Sequence, residues 1–279
     1  MAISLIRRKD STVVPVGRNN KPAREYAQTL KARAGIIPAP LPLMHRAPKE
    51  PAVTHDFDAV LLDFDGTLFD TAPDFVGALN ALLAELELAP ARLEDFRRLS
   101  GSGAKFLLAR ALTAQDAKYA DSELEALVPR LLEHYYVRMT NETVPYAGVV
   151  ETLETLRSAG VPLGICTNRG HKSTATLLAH FGLDELFDTV LCGDQVAAKK
   201  PHADHLHEAA TALGVAPSSV VMVGDTETDV AAARAARVPV VAVSYGYSPT
   251  PASALGADIV IDDFAGLPAA LVSLSTKSA

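Results

Sequence analysis

Two aspartates, Asp63 and Asp65, directly follow an apolar run at 57–62 that predicts a buried strand. Gly66 allows a sharp backbone turn there. Two acids two residues apart at a strand end can point toward one side, and open α/β sheets bind ligands outside the carboxyl ends of their strands. Because like charges this close repel, the pair favours either a bound cation or one protonated acid. We therefore expect chemistry at this turn.

Two further predicted strand ends carry polar residues. Thr167 and Asn168 offer a hydroxyl and an amide beside the free backbone amides of a following helix, a combination able to hold an oxyanion. Lys199 and Lys200 precede a proline, and a fixed cation beside a phosphate is a common device. Each signal is weak alone, since Thr and Asn are ordinary turn residues and surface lysine pairs are usually solvated.

A third strand end leads into a cluster of acids. Asp225 and Asp229 stand four residues apart at the predicted start of a helix, so they share one face at its positive end. The alternative is that these acids only cap the helix N-terminus. Capping needs one acid, whereas Glu227 brings the number of acids to three within five positions. Hard oxygen ligands from separate strand ends suit Mg²⁺, which uses few protein carboxylates and keeps several waters. The combined acids predict a magnesium site.

The elements that must position these residues follow two patterns. From Gly148 onward predicted strands and helices alternate, which indicates a doubly wound parallel sheet covered on both faces. Between Asp70 and Pro145 the apolar residues recur at helical spacing, and Thr71 and Asp74 stand at capping-box spacing at the first helix. We predict an α/β core at 53–70 and 146–279 with an inserted all-helical cap at 71–145.

Composition limits the possible functions. The chain has 279 residues, 48% of them hydrophobic, and no apolar run that would span a membrane. Its two cysteines, Cys166 and Cys192, lie in apolar stretches, which favours reduced thiols and a cytoplasmic location over disulfides. Residues 1–50 carry net charge +7 and the remainder −14. So acidic a domain argues against nucleic-acid binding and suits a site that concentrates a divalent cation.

Residues 1–52 form a basic arm that holds seven of the eighteen prolines and that we predict to be flexible. It lacks the apolar core of a secretory signal. A solvated tail or an over-extended translation start is favoured over an organelle transit peptide or a contact with an anionic partner.

Together these motifs resemble the haloacid dehalogenase superfamily of phosphohydrolases, in family order and across about 57–274. The resemblance implies a Rossmann-like core in which Asp63 is the nucleophile and Asp65 the general acid and base. It implies that Thr167, Asn168 and Lys200 bind the phosphoryl group. It further implies that Asp63, the main-chain carbonyl of Asp65, and Asp225 hold Mg²⁺, with Asp229 in support.

Within that superfamily, softer signals at 100–104, 145–149 and 243–249 resemble bacterial phosphoglycolate phosphatases. The implied function is Mg²⁺-dependent hydrolysis of a small phosphate monoester, phosphoglycolate, through an aspartyl-phosphate. One alternative is another substrate for the same reaction: a sugar phosphate, an amino-sugar phosphate, a nucleotide or pyrophosphate. The other alternative is a phosphomutase reaction. A dehalogenase is disfavoured because its reaction needs no acid-base partner like Asp65. A non-catalytic binding protein is disfavoured because it would be expected to have lost a motif, and all four motifs described above are intact. Monomer and homodimer both remain open.

Several residues outside the motifs are candidates for a role at the site, and a structural or solvated position is the alternative for each. Candidate contacts for a substrate carboxylate are Arg97, Arg98, Lys105 and Arg110, with a solvated surface position favoured for each. Arg169 and His171 border the expected phosphate pocket, but solvation at a helix start is favoured for both. A metal-binding role is disfavoured for His202, His205 and His207, and Tyr245 and Tyr247 are expected to shape a loop.

Overall fold

The computed structural model describes residues 57–97 and 103–277. The predicted basic arm at 1–52 and the motif residues 100–102 therefore lie outside the described residues. So does Arg98, one of the four candidate contacts for a carboxylate.

One parallel sheet forms the core, with short strands and longer helices alternating along the chain. The strands are Ala59–Leu62 (β1), Phe69–Asp70 (β2), Val144–Pro145 (β3), Leu163–Thr167 (β4), Thr189–Cys192 (β5), Val220–Gly224 (β6), Val240–Val243 (β7) and Ile259–Ile261 (β8). The helices are Ala72–Glu85 (α1), Leu93–Arg97 (α2), Gly103–Thr113 (α3), Asp121–Tyr136 (α4), Val149–Ser158 (α5), His171–Phe181 (α6), Ala203–Ala212 (α7), Glu227–Ala236 (α8) and Leu267–Lys277 (α9).

The six-stranded sheet has the order β5-β4-β1-β6-β7-β8, and all its neighbouring strands are parallel. This confirms the predicted doubly wound sheet. Strand β1 lies between β4 and β6, so later strands of the chain lie on both sides of it. The carboxyl ends of these three strands meet at one edge of the sheet. The predicted strand at 57–62 begins two residues later than expected.

Alternate residues of β1 pack against opposite layers of helices. Val60 and Leu62 belong to a cluster that includes apolar residues of α5, α6 and α9, whereas Ala59 and Leu61 pack with α7 and α8. All four are fully buried, which explains why the strand reads as a continuous apolar run rather than an alternating one. Burying one side chain such as Leu contributes about 1.5–3 kcal/mol to the stability of the folded state.

A helical insert, comprising α1 to α4, connects β2 to β3. These two strands pair antiparallel, so the chain leaves the core and returns to it at the same point. The insert has an apolar cluster of its own around Leu79, Leu82, Leu108 and Leu131. Within the described residues, no helix combines the length and apolar character that a bilayer crossing requires. Cys166 and Cys192 are buried free thiols, as predicted.

The predicted capping box at the start of α1 is wrong. The Thr71 side chain makes no capping bond and donates instead to Asp65 Oδ1 at 2.5 Å. The N–H groups of Thr71 and Ala72 donate to the hydroxyl of Tyr247 at 2.7 and 3.0 Å, and that hydroxyl donates to Asp70. A distant tyrosine thus satisfies the donors at this helix start, where the sequence pattern indicated a local cap.

Asp74, the other half of the predicted box, ties the two ends of the insert together. Its fully buried carboxylate accepts hydrogen bonds from the N–H groups of Glu142 and Thr143 at 2.9 and 2.8 Å, and Arg138 Nε lies 3.7 Å away. Asp74 therefore fixes α1 to the segment that follows α4.

We expect Asp74→Ala to lower the free energy of unfolding by about 3 kcal/mol, because it leaves one buried and one partly buried N–H donor without an acceptor and removes a buried carboxylate from beside Arg138. Chemical denaturation monitored by circular dichroism measures this change. Glu133→Ala, which removes an exposed carboxylate from α4, is the control and should change stability by less than about 0.5 kcal/mol. Equal effects of the two variants would contradict the role given to Asp74.

Candidate active site

The turn after β1 brings Asp63 to the centre of the sheet edge. The Asp63 N–H donates to Val223 O at 2.9 Å, which continues the pairing of β1 with β6. Gly66 then turns the chain with φ +85°, a value that L side chains rarely adopt. A Cβ at this position would lie 2.3 Å from Asp225 Oδ2. The glycine is therefore required both by its backbone conformation and by the approach of Asp225.

Three carboxylates converge at this edge. Asp63, Asp225 and Asp229 each offer an oxygen, and these oxygens lie within 4.8 Å of one another. Asp225 accepts hydrogen bonds from Thr67 Oγ1 at 3.1 Å and from the Tyr247 N–H at 2.7 Å. The residues of this cluster, far apart in the chain, are thus brought together as the sequence predicts for a metal site.

Asp229 serves two purposes at once. Its Oδ2 accepts from the N–H and the hydroxyl of Thr226, at 3.0 and 2.7 Å, which forms a capping box at the start of α8. Its Oδ1 accepts from Lys200 Nζ at 2.6 Å. The capping interpretation of this aspartate is therefore correct, and the residue also belongs to the carboxylate cluster. With both oxygens engaged by protein donors, Asp229 suits a supporting position.

Lys200 is buried among these carboxylates, with 2% of its side chain exposed. Its Nζ donates to Asp63 Oδ1 at 2.8 Å as well as to Asp229. Burial lowers the pKa of Lys200, but the charges of Asp229 and Asp63 outweigh it and raise that pKa above its usual value. The lysine therefore stays charged, whereas its neighbour Lys199 is exposed.

Two side chains hold the backbone of Lys200 in place. Asn168 Nδ2 donates to the Lys200 carbonyl at 2.9 Å, and the Lys200 N–H donates to His205 Nδ1 at 3.3 Å. Burial, together with the charge of Lys200, lowers the pKa of His205 to about 4. The imidazole is thus neutral near pH 7 and acts as an acceptor here, which the run of three histidines in the sequence did not indicate.

The carboxylates carry more negative charge than their surroundings favour. Burial raises the pKa of Asp63 from its ordinary 3.8 to about 6 against the opposing charge of Lys200, and Asp229 adds to the rise. Burial and the charges of Asp229 and Asp63 raise the pKa of Asp225 well above its usual value. A hard divalent cation would favour the ionised form of Asp63 and Asp225, and an all-oxygen donor set is what such a cation prefers. The residues therefore fit Mg²⁺.

Asp65 faces other partners than Asp63 does. Its Oδ1 accepts from Thr71 Oγ1 and, at 2.6 Å, from Arg169 Nη1. Arg169 has only 9% of its side chain exposed, so the expectation that this residue is solvated is wrong. Its N–H donates to Thr167 Oγ1 at 3.2 Å, which leaves the proton of that hydroxyl for another acceptor. The arginine is buried because helix α4 covers it, and the sequence around it does not reveal this.

A cavity of about 390 Å³ lies between the sheet edge and the insert. Its wall includes most of the predicted site residues: Asp63, Asp65, Thr167, Asn168, Lys200 and Asp229. The insert contributes apolar and aromatic residues: Phe75, Ala104, Leu107, Leu132, Tyr135 and Tyr136. The volume is typical of a site for a small metabolite.

Of the cations considered for a substrate carboxylate, the two whose side chains the structure describes, Lys105 and Arg110, do not line this cavity. Lys105 pairs with Asp121 and Glu125 at 2.8 and 2.9 Å, and Arg110 is exposed. Both are surface charges, as the sequence favours. The side chain of Arg97 falls outside the described residues, as Arg98 does.

Comparisons with known proteins show which family the chain is similar to. A family model for haloacid dehalogenase-like hydrolases matches residues 60–243. A phosphoglycolate phosphatase from Caulobacter vibrioides is 41% identical over 225 residues, which cover 80% of this chain and 95% of the relative.

Solved structures with the same fold include a predicted phosphoglycolate phosphatase from Haemophilus somnus, with a TM-score of 0.73 and 29% identity over 77% of this chain and 98% of that one. CbbY from Rhodobacter sphaeroides in complex with phosphate has a TM-score of 0.67 and 28% identity, over 78% of this chain and all of that one.

The raised pKa of Asp63 predicts how the metal-free protein responds to pH. Below about pH 4 the carboxyl is protonated in the folded and unfolded states alike. Between about 4 and 6 the unfolded chain releases the proton and the folded protein retains it, so the free energy of unfolding falls by about 3 kcal/mol as the pH rises through this window. We expect Asp63→Asn to lack this part of the pH dependence.

Denaturation in the presence of a chelator, at intervals from pH 4 to 8, measures the effect. Stability curves of the two proteins that run parallel over the whole range would contradict the perturbed pKa.

Proposed function

The chain belongs to the haloacid dehalogenase-like hydrolases and is a phosphoric monoester hydrolase, and we propose that it hydrolyses 2-phosphoglycolate with Mg²⁺ as cofactor. The observation that supports phosphate ester hydrolysis is the buried group of Asp63, Lys200 and Asp229 in the wall of a metabolite-sized cavity. The substrate is supported by relatives named phosphoglycolate phosphatase at about 40% identity over three quarters or more of the chain.

The proposed ion site consists of Asp63, the main-chain carbonyl of Asp65, and Asp225, with Asp229 holding Lys200 and the α8 start beside it. The raised pKa values of Asp63 and Asp225 support a cation here, since a phosphate ester would add negative charge to a site already short of positive charge. Bound Mg²⁺ would supply positive charge to the oxygens of the phosphoryl group.

Lys200, Thr167 and Asn168 would orient the phosphoryl group. The Lys200 ammonium is fixed by its two carboxylate partners, so it offers charge without having to be ordered on binding. The Thr167 hydroxyl accepts from the Arg169 N–H and has its own proton to donate. Asn168 lines the cavity while its amide nitrogen holds the lysine backbone.

In the proposed reaction, an Asp63 oxygen attacks phosphorus and the bond from phosphorus to the ester oxygen breaks. Asp65 gives a proton to that departing oxygen, which leaves as the hydroxyl of glycolate. A water molecule, deprotonated by Asp65, then attacks the aspartyl-phosphate and releases phosphate, regenerating Asp63 as a carboxylate. Dividing the hydrolysis in this way replaces one difficult step with two easier ones.

Phosphate release from a panel of esters tests the substrate. We expect the highest kcat/KM with 2-phosphoglycolate, above sugar phosphates, amino-sugar phosphates, nucleotides and pyrophosphate, and loss of activity with a chelator that added Mg²⁺ restores. A higher kcat/KM for another ester would assign a different substrate to the same chemistry. Isomerisation of a sugar phosphate without phosphate release would indicate a phosphomutase.

We expect Asp63→Asn to reduce kcat by about 10⁴-fold or more, since no other group can take over nucleophilic attack. Asp65→Asn should reduce it by about 10²- to 10⁴-fold, the usual contribution of general acid and base catalysis. Steady-state phosphate release measures both, and Glu133→Gln on the exposed face of α4 is the control. Substantial turnover by the Asp63 variant would refute the assignment of the nucleophile.

A further inference from the structure

Arg169 lies where the core meets the insert, just beyond the end of β4. Its Nη1 donates to Asp65 Oδ1 at 2.6 Å, and its Nη2 donates to the hydroxyl of Tyr135 on helix α4. The guanidinium also lies over the rings of Tyr135 and Phe64, 5.1 and 5.5 Å from their centroids. Arg169 and Tyr135 both line the cavity. The pair therefore forms a joint wall between the sheet edge and the insert.

This pair has hydrogen-bond donors that the protein does not use. Arg169 Nε is buried, and the described part of the chain provides no acceptor for it. The Tyr135 hydroxyl accepts a bond from Arg169, but no described residue accepts its own proton. Burial raises the pKa of Tyr135, so the phenol keeps that proton near neutral pH. The Arg169 Nε–H and the Tyr135 hydroxyl are thus two hydrogen-bond donors beside the positive charge of the guanidinium, a combination that can bind a carboxylate.

The position of the pair matches the shape of the proposed substrate. Asp65 would give its proton to the ester oxygen, so that oxygen must lie next to the Asp65 carboxyl. In 2-phosphoglycolate a single methylene separates the ester oxygen from the carboxylate carbon. Because Arg169 contacts Asp65 directly, its guanidinium lies within reach of that carboxylate.

Among the described residues that line the cavity, the other cations are unsuitable for this task. Lys200 is engaged by two carboxylates, Asp63 and Asp229, at the place proposed for the phosphoryl group, whereas Arg169 has one carboxylate partner, Asp65. Lys199 is exposed, so its charge is screened by solvent. A carboxylate placed in the cavity without a cation would have to be desolvated at considerable cost. Arg169 is the cation that remains.

We propose that Arg169 and Tyr135 together recognise the carboxylate of the leaving group, and so determine the substrate specificity of the hydrolysis. This inference rests on the proposed function, and it adds the residues that select the ester. Arg169 belongs to the core and Tyr135 to the insert, so specificity requires the insert to lie against the sheet edge. Helix α4 has a second contact there, since Lys172 Nζ lies 4.2 Å from the centroid of the Tyr136 ring.

The test compares 2-phosphoglycolate with ethyl phosphate, which has a methyl group in place of the carboxylate. We measure the ratio of kcat/KM for these two esters in Arg169→Gln, Arg169→Lys and Tyr135→Phe. The same Asp65 serves both esters, so any change that reaches the reaction through the contact of Arg169 with Asp65 largely cancels in the ratio. Arg110→Gln is the matched control, because Arg110 is an exposed cation of the insert that does not line the cavity.

We expect Arg169→Gln to lower the ratio by about 100-fold, mainly through KM for 2-phosphoglycolate. Arg169→Lys should recover part of the loss, since it restores charge without the fork of donors. Tyr135→Phe should lower the ratio by about 10-fold, and Arg110→Gln should leave it unchanged. Competitive inhibition by glycolate should weaken in the same order, which is a readout that a purely structural role would not produce.

A wild-type enzyme without preference for 2-phosphoglycolate would overturn the proposed function and this inference with it. A wild-type preference that survives in Arg169→Gln, within about 3-fold, would overturn this inference alone. Should Arg169→Gln fail to fold, the ratios for Arg169→Lys and Tyr135→Phe decide the matter, and unchanged ratios in both would refute the assignment.

Discussion

The buried ammonium group of Lys200 is the interaction on which the arrangement of the site depends. It joins Asp63, which follows β1, to Asp229, which lies in the first turn of α8, at 2.8 and 2.6 Å. Removal of the lysine would leave both carboxylates buried without a compensating charge, which is far more costly than the net gain from forming the pairs. One lysine cannot offset three neighbouring carboxylates. Burial raises the pKa values of Asp63 and Asp225, and the charges of the neighbouring carboxylates add to the rise.

The supporting contacts of the cluster come from loops that the sheet order makes neighbours. Because β1 lies between β4 and β6, the turn with Asp63 is flanked by Asn168 on one side and by Asp225 on the other. Asn168 and His205 hold the backbone of Lys200, while Thr67 and the Tyr247 N–H orient Asp225. The backbone of Lys200 and the carboxylate of Asp225 are therefore held by uncharged hydrogen-bonding groups, as a preorganised site requires.

The helical insert is joined to this edge at several points. Tyr247 links the loop beyond β7 both to the start of α1 and, through its backbone, to Asp225. Asp74 holds the two ends of the insert together. Arg169 and Lys172 of the core face the consecutive tyrosines Tyr135 and Tyr136 at the end of α4. The position of the insert and the surroundings of the reactive groups are thus physically coupled.

Much of the core could be predicted because its signals are local. A short apolar run bounded by turn residues predicts a buried strand wherever it lies, and the alternation of strands and helices predicted from Gly148 onward is observed. The carboxylate cluster could also be predicted, since acids at the ends of parallel strands share one edge of the sheet. The capping box at Thr71 and Asp74 was wrong because the Thr71 side chain donates to Asp65 in the preceding turn, while Asp74 accepts from N–H groups beyond the end of α4, which local spacing cannot reveal.

The sequence by itself determined the sheet, the helical character of the insert, and the residue types that meet at the sheet edge, because each follows from periodicity or from position relative to a strand end. Only the tertiary structure decided which charges are buried. Lys199 and Lys200 are adjacent and identical in type, yet one is solvated and the other is enclosed by carboxylates. Arg169 resembles a solvated residue at a helix start until α4, more than thirty residues earlier in the chain, covers it. Burial and charge pairing depend on neighbours in space, and for these residues the neighbours come from distant parts of the sequence.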